Sequence, residues 1–181
     1  IGTLCLIDRQ PRAFSDKDRE MLRDFASLVD DELASSSQIN VDELTRIANR
    51  RGFTMVAEHL LPLCERNGLQ AELLFFDLDG FKAINDNHGH DAGDRALRFF
   101  AKLLLKGFRK ADVIARLGGD EFVVMVVGES IRVDRSITRM ADLAAETTDP
   151  IEQLVRWSIG RTRYDPARHG DIEVLLTHAD R

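Results

Sequence analysis

Only two of the 181 residues are cysteine, Cys5 and Cys64, far apart and at no metal-ligand spacing. That scarcity argues against a disulfide framework and fits a reducing, cytosolic setting. A basic excess is missing too: 25 Lys and Arg stand against 31 Asp and Glu, for a net charge of −6. A broad surface for a nucleic-acid polymer is therefore not expected, although a local basic site can still hold phosphate. No apolar run approaches the roughly 20 residues of a membrane-spanning helix, so no membrane contact is expected from this segment. The chain opens on Ile1 rather than Met and shows no signal peptide. It is expected to be a cytoplasmic piece of something longer, with any membrane attachment left to parts outside it. Nucleotide motifs of the Walker or Gly-x-Gly-x-x-Gly kind are absent, as are internal repeats and low-complexity tracts.

What is present is the composition of a soluble globular protein, 44% hydrophobic and 31% charged. Residues 1–7 form a short apolar run that reads as a strand. Ser15 then reads as an N-cap, and Met21, Leu22, Phe25, Leu28, Val29 and Leu33 fall on one helical stripe over 16–34. The polar run Ser35-Ser36-Ser37-Gln38 breaks that pattern and marks a boundary after residue 38. Beyond it, the spacing predicts a helix over 42–67 with a break near Gly52, a strand over 72–77 and a helix over 91–108. Strands over 113–117 and 122–127 flank a Gly-Gly turn. A helix over 131–145, a strand over 154–159 and a helix from Glu173 to His178 follow. Strands alternating with helices, plus one hairpin, predict an α/β sandwich of the α+β class with helices packed on a sheet.

Two acidic clusters punctuate the strands: Asp77-Leu78-Asp79-Gly80 at a strand end, and Asp120-Glu121 in the Gly-Gly turn. A carboxylate at a buried strand end is costly unless it is paired or binds a cation. If the two strands are neighbours, Asp77 and Asp120 converge. Hard oxygen ligands with open positions suit Mg²⁺, which keeps waters and takes further ligands from phosphates. Taken singly, Gly-Gly before an acid is also an ordinary hairpin turn, and Asp-x-Asp an ordinary cap or solvated loop. An EF-hand is excluded, because the glycine comes too early and the twelfth position is His88 rather than Glu. His88, His90 and Asp91 lack a third ligand at a zinc-like spacing.

Together the blocks resemble one family. Gly118-Gly119-Asp120-Glu121-Phe122 is the signature of GGDEF domains. Asp42-Glu43-Leu44-Thr45 with Asn49-Arg50-Arg51-Gly52-Phe53 is similar to the family's opening motif. The run from Asp77 to Asp86, then Gly89-His90 and Gly93-Asp94, is similar to its central motif, and Ser158-Ile159-Gly160 to its late strand. Residues 2–8 with Phe14-Ser15 resemble more loosely the end of a GAF sensor domain. The resemblance implies a GAF-like remnant and connecting helix over 1–38 and a GGDEF domain over 39–181. The latter carries a mainly antiparallel sheet flanked by helices, with a nucleotide-cyclase-like βαββαβ core.

The activity implied is a diguanylate cyclase, condensing two GTP into cyclic di-GMP with release of pyrophosphate and feedback inhibition by the product. Alternatively, the resemblance allows a weakly catalytic domain that is a receptor for GTP or cyclic di-GMP, or a regulator of a neighbouring phosphodiesterase. Asp77 and Asp120 would hold Mg²⁺, or Mn²⁺ in its place, with the backbone carbonyl of Leu78. Asp120 and Glu121 would be catalytic, and Gly118 and Gly119 would let the triphosphate approach the backbone. Asn85 and Asp94 would read guanine, His90 would lie by the nucleotide, and Lys82 would hold phosphate. Arg109 and Asp112 of an Arg-x-x-Asp motif, with Arg116, would form the inhibitory product site. The two-fold product implies a homodimer, paired through the upstream helix. Two departures stand out. Arg46-Ile47 follows Thr45 where the family continues Gly-Leu, and the chain stops at Arg181, where the family's basic closing helix normally continues. The C-terminal helix is thus expected to be incomplete.

Overall fold

The computed structural model describes Asp16, residues 40–128 and residues 130–179. The strand expected over 1–7, the helix over 16–34 and the boundary after residue 38 lie outside the described residues, Asp16 apart. The chain divides into two compact units, and the second, Asn40–Arg181, carries everything that follows.

Its elements run β1 Ala48–Asn49, α1 Arg50–Arg66, β2 Ala71–Leu78, α2 Phe81–His88, α3 His90–Gly107, β3 Val113–Gly118 and β4 Glu121–Val127. Then come α4 Ser130–Ala145, a 3-10 turn at Glu152–Leu154, β5 Trp157–Arg163 and α5 Ile172–Ala179. The sheet order is β1-β3-β4-β2-β5. The short β1 pairs parallel to β3, and every other pairing is antiparallel. From β2 to β5 the order is βαββαβ, with α2 and α3 as the first helical member.

Strand β2 lies inside the sheet between β4 and β5, and a buried cluster covers each of its faces. This is why Leu73 to Phe76 read as an unbroken apolar run. Leu74, Phe76 and Leu78 turn toward a core with Ile84 of α2, Phe100 and Leu104 of α3, and Val133 and Met140 of α4. Ala71, Leu73 and Phe75 turn the other way, toward Phe53, Ala57 and Leu61 of α1 and Leu175 of α5. The result is a three-layer sandwich.

Three sequence expectations need correction. The first helix begins at Arg50, not Asp42. The Asp42 carboxylate accepts from Thr45 N–H at 2.8 Å and from its hydroxyl at 2.6 Å, which closes a local turn. Arg46 follows with φ +62°, and the cap is Asn49, whose side chain accepts from Gly52 N–H at 2.9 Å. Gly52 is no break, for it lies in the first helical turn, where an added Cβ would come 2.3 Å from the Asn40 carbonyl oxygen. Second, α2 is a separate helix ahead of α3, and a glycine with φ +84°, Gly89, divides the two. Third, β5 runs over Trp157–Arg163 rather than 154–159, because Glu152–Leu154 winds into the 3-10 turn.

Candidate functional site

The register of β2 and β4 sets Asp77 opposite Glu121. Directly opposed residues of an antiparallel pair present their side chains to one face. By alternation that face is the one Leu73 and Phe75 share, covered by α1 and α5. Next to this pair, Leu78 N–H donates to the Asp120 carbonyl at 3.3 Å. The two acidic clusters therefore meet at one end of the sheet, as the sequence reading required, with Glu121 rather than Asp120 directly across from Asp77.

The turn that brings them there is built from glycine and a bulge. The β3–β4 register shifts between Arg116 and Gly118, and such a bulge re-aims the strand just before the turn. Gly119 has φ +49° at the first central position of the two-residue loop, where other residues are strained. A Cβ on Gly118 or Gly119 would meet nothing within 4 Å. The open space beside them lies outside the protein, where a ligand can approach.

Arg116 locks this turn. Its Nε and Nη2 donate to the Gly119 carbonyl at 2.9 and 2.7 Å. Its Nη1 reaches both Asp42 carboxylate oxygens at 3.2 Å. Burial alone would raise the Asp42 pKa, but the Thr45 hydrogen bonds and the Arg116 charge outweigh it and hold the carboxyl below its ordinary range.

The residues expected to read guanine lie beyond the end of β2, on the pair α2–α3. Asn85 is half-buried and packs against Gly93, where an added Cβ would stand 2.0 Å from Asn85 Oδ1. Gly93 is therefore the notch that admits the Asn85 side chain between two helices. Asp94 pairs with Arg98 at 3.5 Å, both about half exposed, a contact of little worth. Lys82 and His90 are exposed in the first turns of α2 and α3. These helices cover the face opposite to the one holding Asp77 and Glu121. A ligand touching both sets must pass over the end of β2.

The structure does not bring Arg116 to Arg109 and Asp112. Those two precede β3, while Arg116 is near its far end, roughly 10 Å further along at about 3.3 Å per residue. Its guanidinium is committed to Asp42 and Gly119, so it belongs to the turn. Asp112 Oδ2 accepts from the Arg109 backbone N–H at 2.8 Å, and Asp112 N–H donates to the Arg109 carbonyl at 3.0 Å. The motif is a self-capped turn that leaves the Arg109 side chain exposed.

Sequence reasoning assigned no role to three residues that shape the site. Asp42 was read only as the start of a helix and part of the opening motif, not as the head of a turn or the partner of Arg116. Arg50 lines a cavity of about 130 Å³ beside Glu121, with Phe75, Leu117, Glu173, Leu176 and Thr177, and reaches Glu173 at 3.6 Å. Ser158 donates to Asp79 Oδ1 at 2.6 Å. Among the described residues, no three His, Cys, Asp or Glu gather in a way that would hold an ion unaided. Asp77 and Glu121 nonetheless fit Mg²⁺, since it takes one or two carboxylates and fills its remaining positions with water and phosphate. No described helix is long and apolar enough to cross a membrane.

The family model described as "Diguanylate cyclase, GGDEF domain" matches residues 39–181. The chain is 47% identical over 138 residues to the probable diguanylate cyclase DgcE of Escherichia coli K12, covering 74% of this chain and 12% of that protein. It therefore spans only a small part of that relative. Among solved structures, a sensory box/GGDEF family protein from Caulobacter crescentus CB15 superposes with a TM-score of 0.68 at 32% identity, over 78% of this chain and 93% of that one. The GGDEF domain of DgcB from Caulobacter crescentus, solved in complex with c-di-GMP, superposes with a TM-score of 0.69 at 25% identity, over 78% and 85%. With the acidic strand end, the glycine turn and the βαββαβ sheet in these places, the chain belongs to the GGDEF diguanylate cyclase family.

Proposed function

We propose that this domain is an active diguanylate cyclase, joining two GTP into cyclic di-GMP. One observation carries the reading: Asp77 faces Glu121 across the β2–β4 pair, with Leu78 bonded to Asp120 beside them. Opposed carboxylates at the end of a sheet suit a cation that takes its remaining ligands from water and a triphosphate. Mg²⁺, or Mn²⁺ in its place, would be held by Asp77, the Leu78 carbonyl and Asp120, and supplies charge neutralisation and activation of the attacking hydroxyl.

The remaining work belongs to side chains of this chain. Asp94 accepts from the guanine N1 and N2 donors, which adenine lacks, and the Asn85 amide bonds along the same edge. Lys82 holds phosphate as a point charge, and His90 lies by the nucleotide. Asp120 takes the proton of the ribose 3′-hydroxyl, with Glu121 in support. The 3′-oxygen then bonds to the α-phosphorus of the second GTP, and the bond to the bridging oxygen breaks as pyrophosphate leaves. Repeating the step closes the ring. Each domain holds one GTP, so the working unit is a symmetric dimer, paired through the helix upstream of residue 40 under an upstream GAF-like sensor. The exposed Arg109, beside the Asp112 turn, is the grip for the product in feedback inhibition.

The test is turnover. GTP and Mg²⁺ are incubated with the protein, and cyclic di-GMP is sought by mass. Asp120→Ala should lower the rate by about 10²- to 10⁴-fold, the worth of a positioned proton acceptor. GTP binding by the unaltered protein with no product formed would favour the receptor over the cyclase.

A further inference from the structure

The contact between Ser158 and Asp79 takes no part in the chemistry assigned above, yet it occupies the joint of the site. Asp77 and Leu78 end β2, Gly80 follows in the left-handed region with φ +70°, and α2 starts at Phe81. Asp79 is thus the residue between the end that would hold the cation and the helix that bears Lys82 and Asn85. Three hydrogen bonds fix the stretch Leu78–Asp79. Leu78 N–H donates to the Asp120 carbonyl at 3.3 Å, and Asp79 N–H donates to the Arg156 carbonyl at 3.0 Å. The third runs from the Ser158 hydroxyl to Asp79 Oδ1 at 2.6 Å. The first two are backbone bonds, indifferent to side chains. The third depends on a hydroxyl at 158 and an acceptor at 79.

The register explains the reach. Ser158 is paired with Asp77 across β2 and β5. Its side chain therefore starts on the Asp77 face and crosses diagonally to the residue two further on. One carboxylate oxygen of Asp79 is spent on this contact. Both side chains are exposed, so the bond adds little to global stability. What it can do is set the angle at which the chain leaves β2.

We propose that Ser158 is a positioning residue. Its hydrogen bond to Asp79 holds the β2–α2 turn so that Asp77 and Leu78, on one side, and Lys82 and Asn85, on the other, form one continuous seat for magnesium-bound GTP. The inference rests on the reading of this end of the sheet as the GTP site. It assigns β5 a task in alignment that its exposed, arginine-rich sequence does not suggest. It also separates the two acids of Asp77-Leu78-Asp79: the first faces the ligand, and the second faces β5.

The experiment compares Ser158→Ala, Ser158→Thr and Asp79→Asn with the unaltered protein. It measures cyclic di-GMP formation, calorimetric binding of GTP at varied Mg²⁺ and the thermal midpoint. Ser158→Ala is expected to lower kcat and weaken Mg²⁺-dependent GTP binding, each by about tenfold, since misplacement of about 1 Å costs up to about a hundredfold. Its thermal midpoint should move little. Ser158→Thr keeps the hydroxyl and Asp79→Asn keeps the acceptor oxygen, so both should recover most of the loss. A merely structural role would instead lower the midpoint in step with activity. Loss of function in Asp79→Asn equal to that in Ser158→Ala would make the Asp79 charge the active element and overturn the proposal. So would unchanged turnover and binding in Ser158→Ala. If the unaltered protein binds GTP without turning it over and Ser158→Ala weakens that binding, the proposal stands and the cyclase reading falls. Absence of Mg²⁺-dependent GTP binding in the unaltered protein overturns both.

Discussion

At Arg116 a single guanidinium joins Asp42, 74 residues earlier in the chain, to the glycine turn beside it. Replacing it with alanine strips the Gly119 carbonyl and the half-buried Asp42 of their partner. Arg116→Ala should cost about 1–3 kcal/mol in urea unfolding, the range for leaving such a group unsatisfied, and should loosen the glycine turn. Asp42 gives the pH side of the same link. Its folded pKa lies below the ordinary 3.8, so its contribution is present above about pH 4 and is lost as pH falls through the folded value. Asp42→Asn should therefore show a shallower loss of stability on acidification than the unaltered protein, read from thermal midpoints between pH 5 and pH 2. Gly93 makes a different demand. A methyl group there collides with Asn85 Oδ1, so Gly93→Ala should leave the sheet intact, cost about 1–3 kcal/mol by overpacking and displace Asn85. Weaker GTP binding with a retained fold is the expected calorimetric result.

Among the elements, the turn that leads into α5 has its own pH response. His169 is buried at 3% exposure, and its Nδ1 accepts from Asp165 N–H at 2.9 Å. The neutral ring therefore carries its proton on Nε2, and charging it puts a second proton where a donor already points. His178 meets the ring edge-on at 5.1 Å, and Tyr164 stacks at 6.2 Å. Burial lowers the His169 pKa below its ordinary 6.5, His178 and Arg168 push the same way, and Asp165 opposes them. A depressed histidine pKa means that the unfolded chain takes the proton first. The contribution is full above about pH 6.5 and declines as pH falls below it. Protection factors of the α5 amides, which normalise exchange to its intrinsic pH dependence, should fall between pH 7 and pH 5, and His169→Asn, which keeps an acceptor, should flatten that response. Equal protection factors at both pH values would contradict it.

The elements also differ in how plainly the sequence announced them. The long apolar stripes of α3 and α4 and the dense run of β2 needed only periodicity. The true start of α1 was hidden because Asp42 and Thr45 spend their side chains on a turn, a tertiary arrangement that apolar spacing does not report. Strand β5 was misplaced because it is an edge. Arg161 turns outward to Glu72 of β2 at 2.9 Å and Asp134 of α4 at 2.6 Å, so a strand reads as a polar stretch. Within the site, Asp77 and Glu121 were legible as acids at strand ends. The Arg116–Asp42 and Ser158–Asp79 contacts were not, since each joins residues more than seventy positions apart.

Across the whole molecule, the signature pentapeptide divides between chemistry and packing. Its last residue, Phe122, is fully buried, 5.0 Å from the Phe100 ring, and Phe100 lies 5.7 Å from Phe76 and 5.4 Å from Trp157. One aromatic cluster thus ties β2, β4, β5 and α3 together beneath the site. Phe100→Ala should cost about 3–5 kcal/mol in chemical denaturation, and losses at the site should follow unfolding rather than precede it. Strand β2 has a further consequence. It is hydrogen-bonded on both edges and covered on both faces, so its amides should exchange only when the entire domain opens. Asp77 is thus delivered by a segment tied on every side, and the Gly118-Gly119 loop opposite it is held by the Arg116 guanidinium.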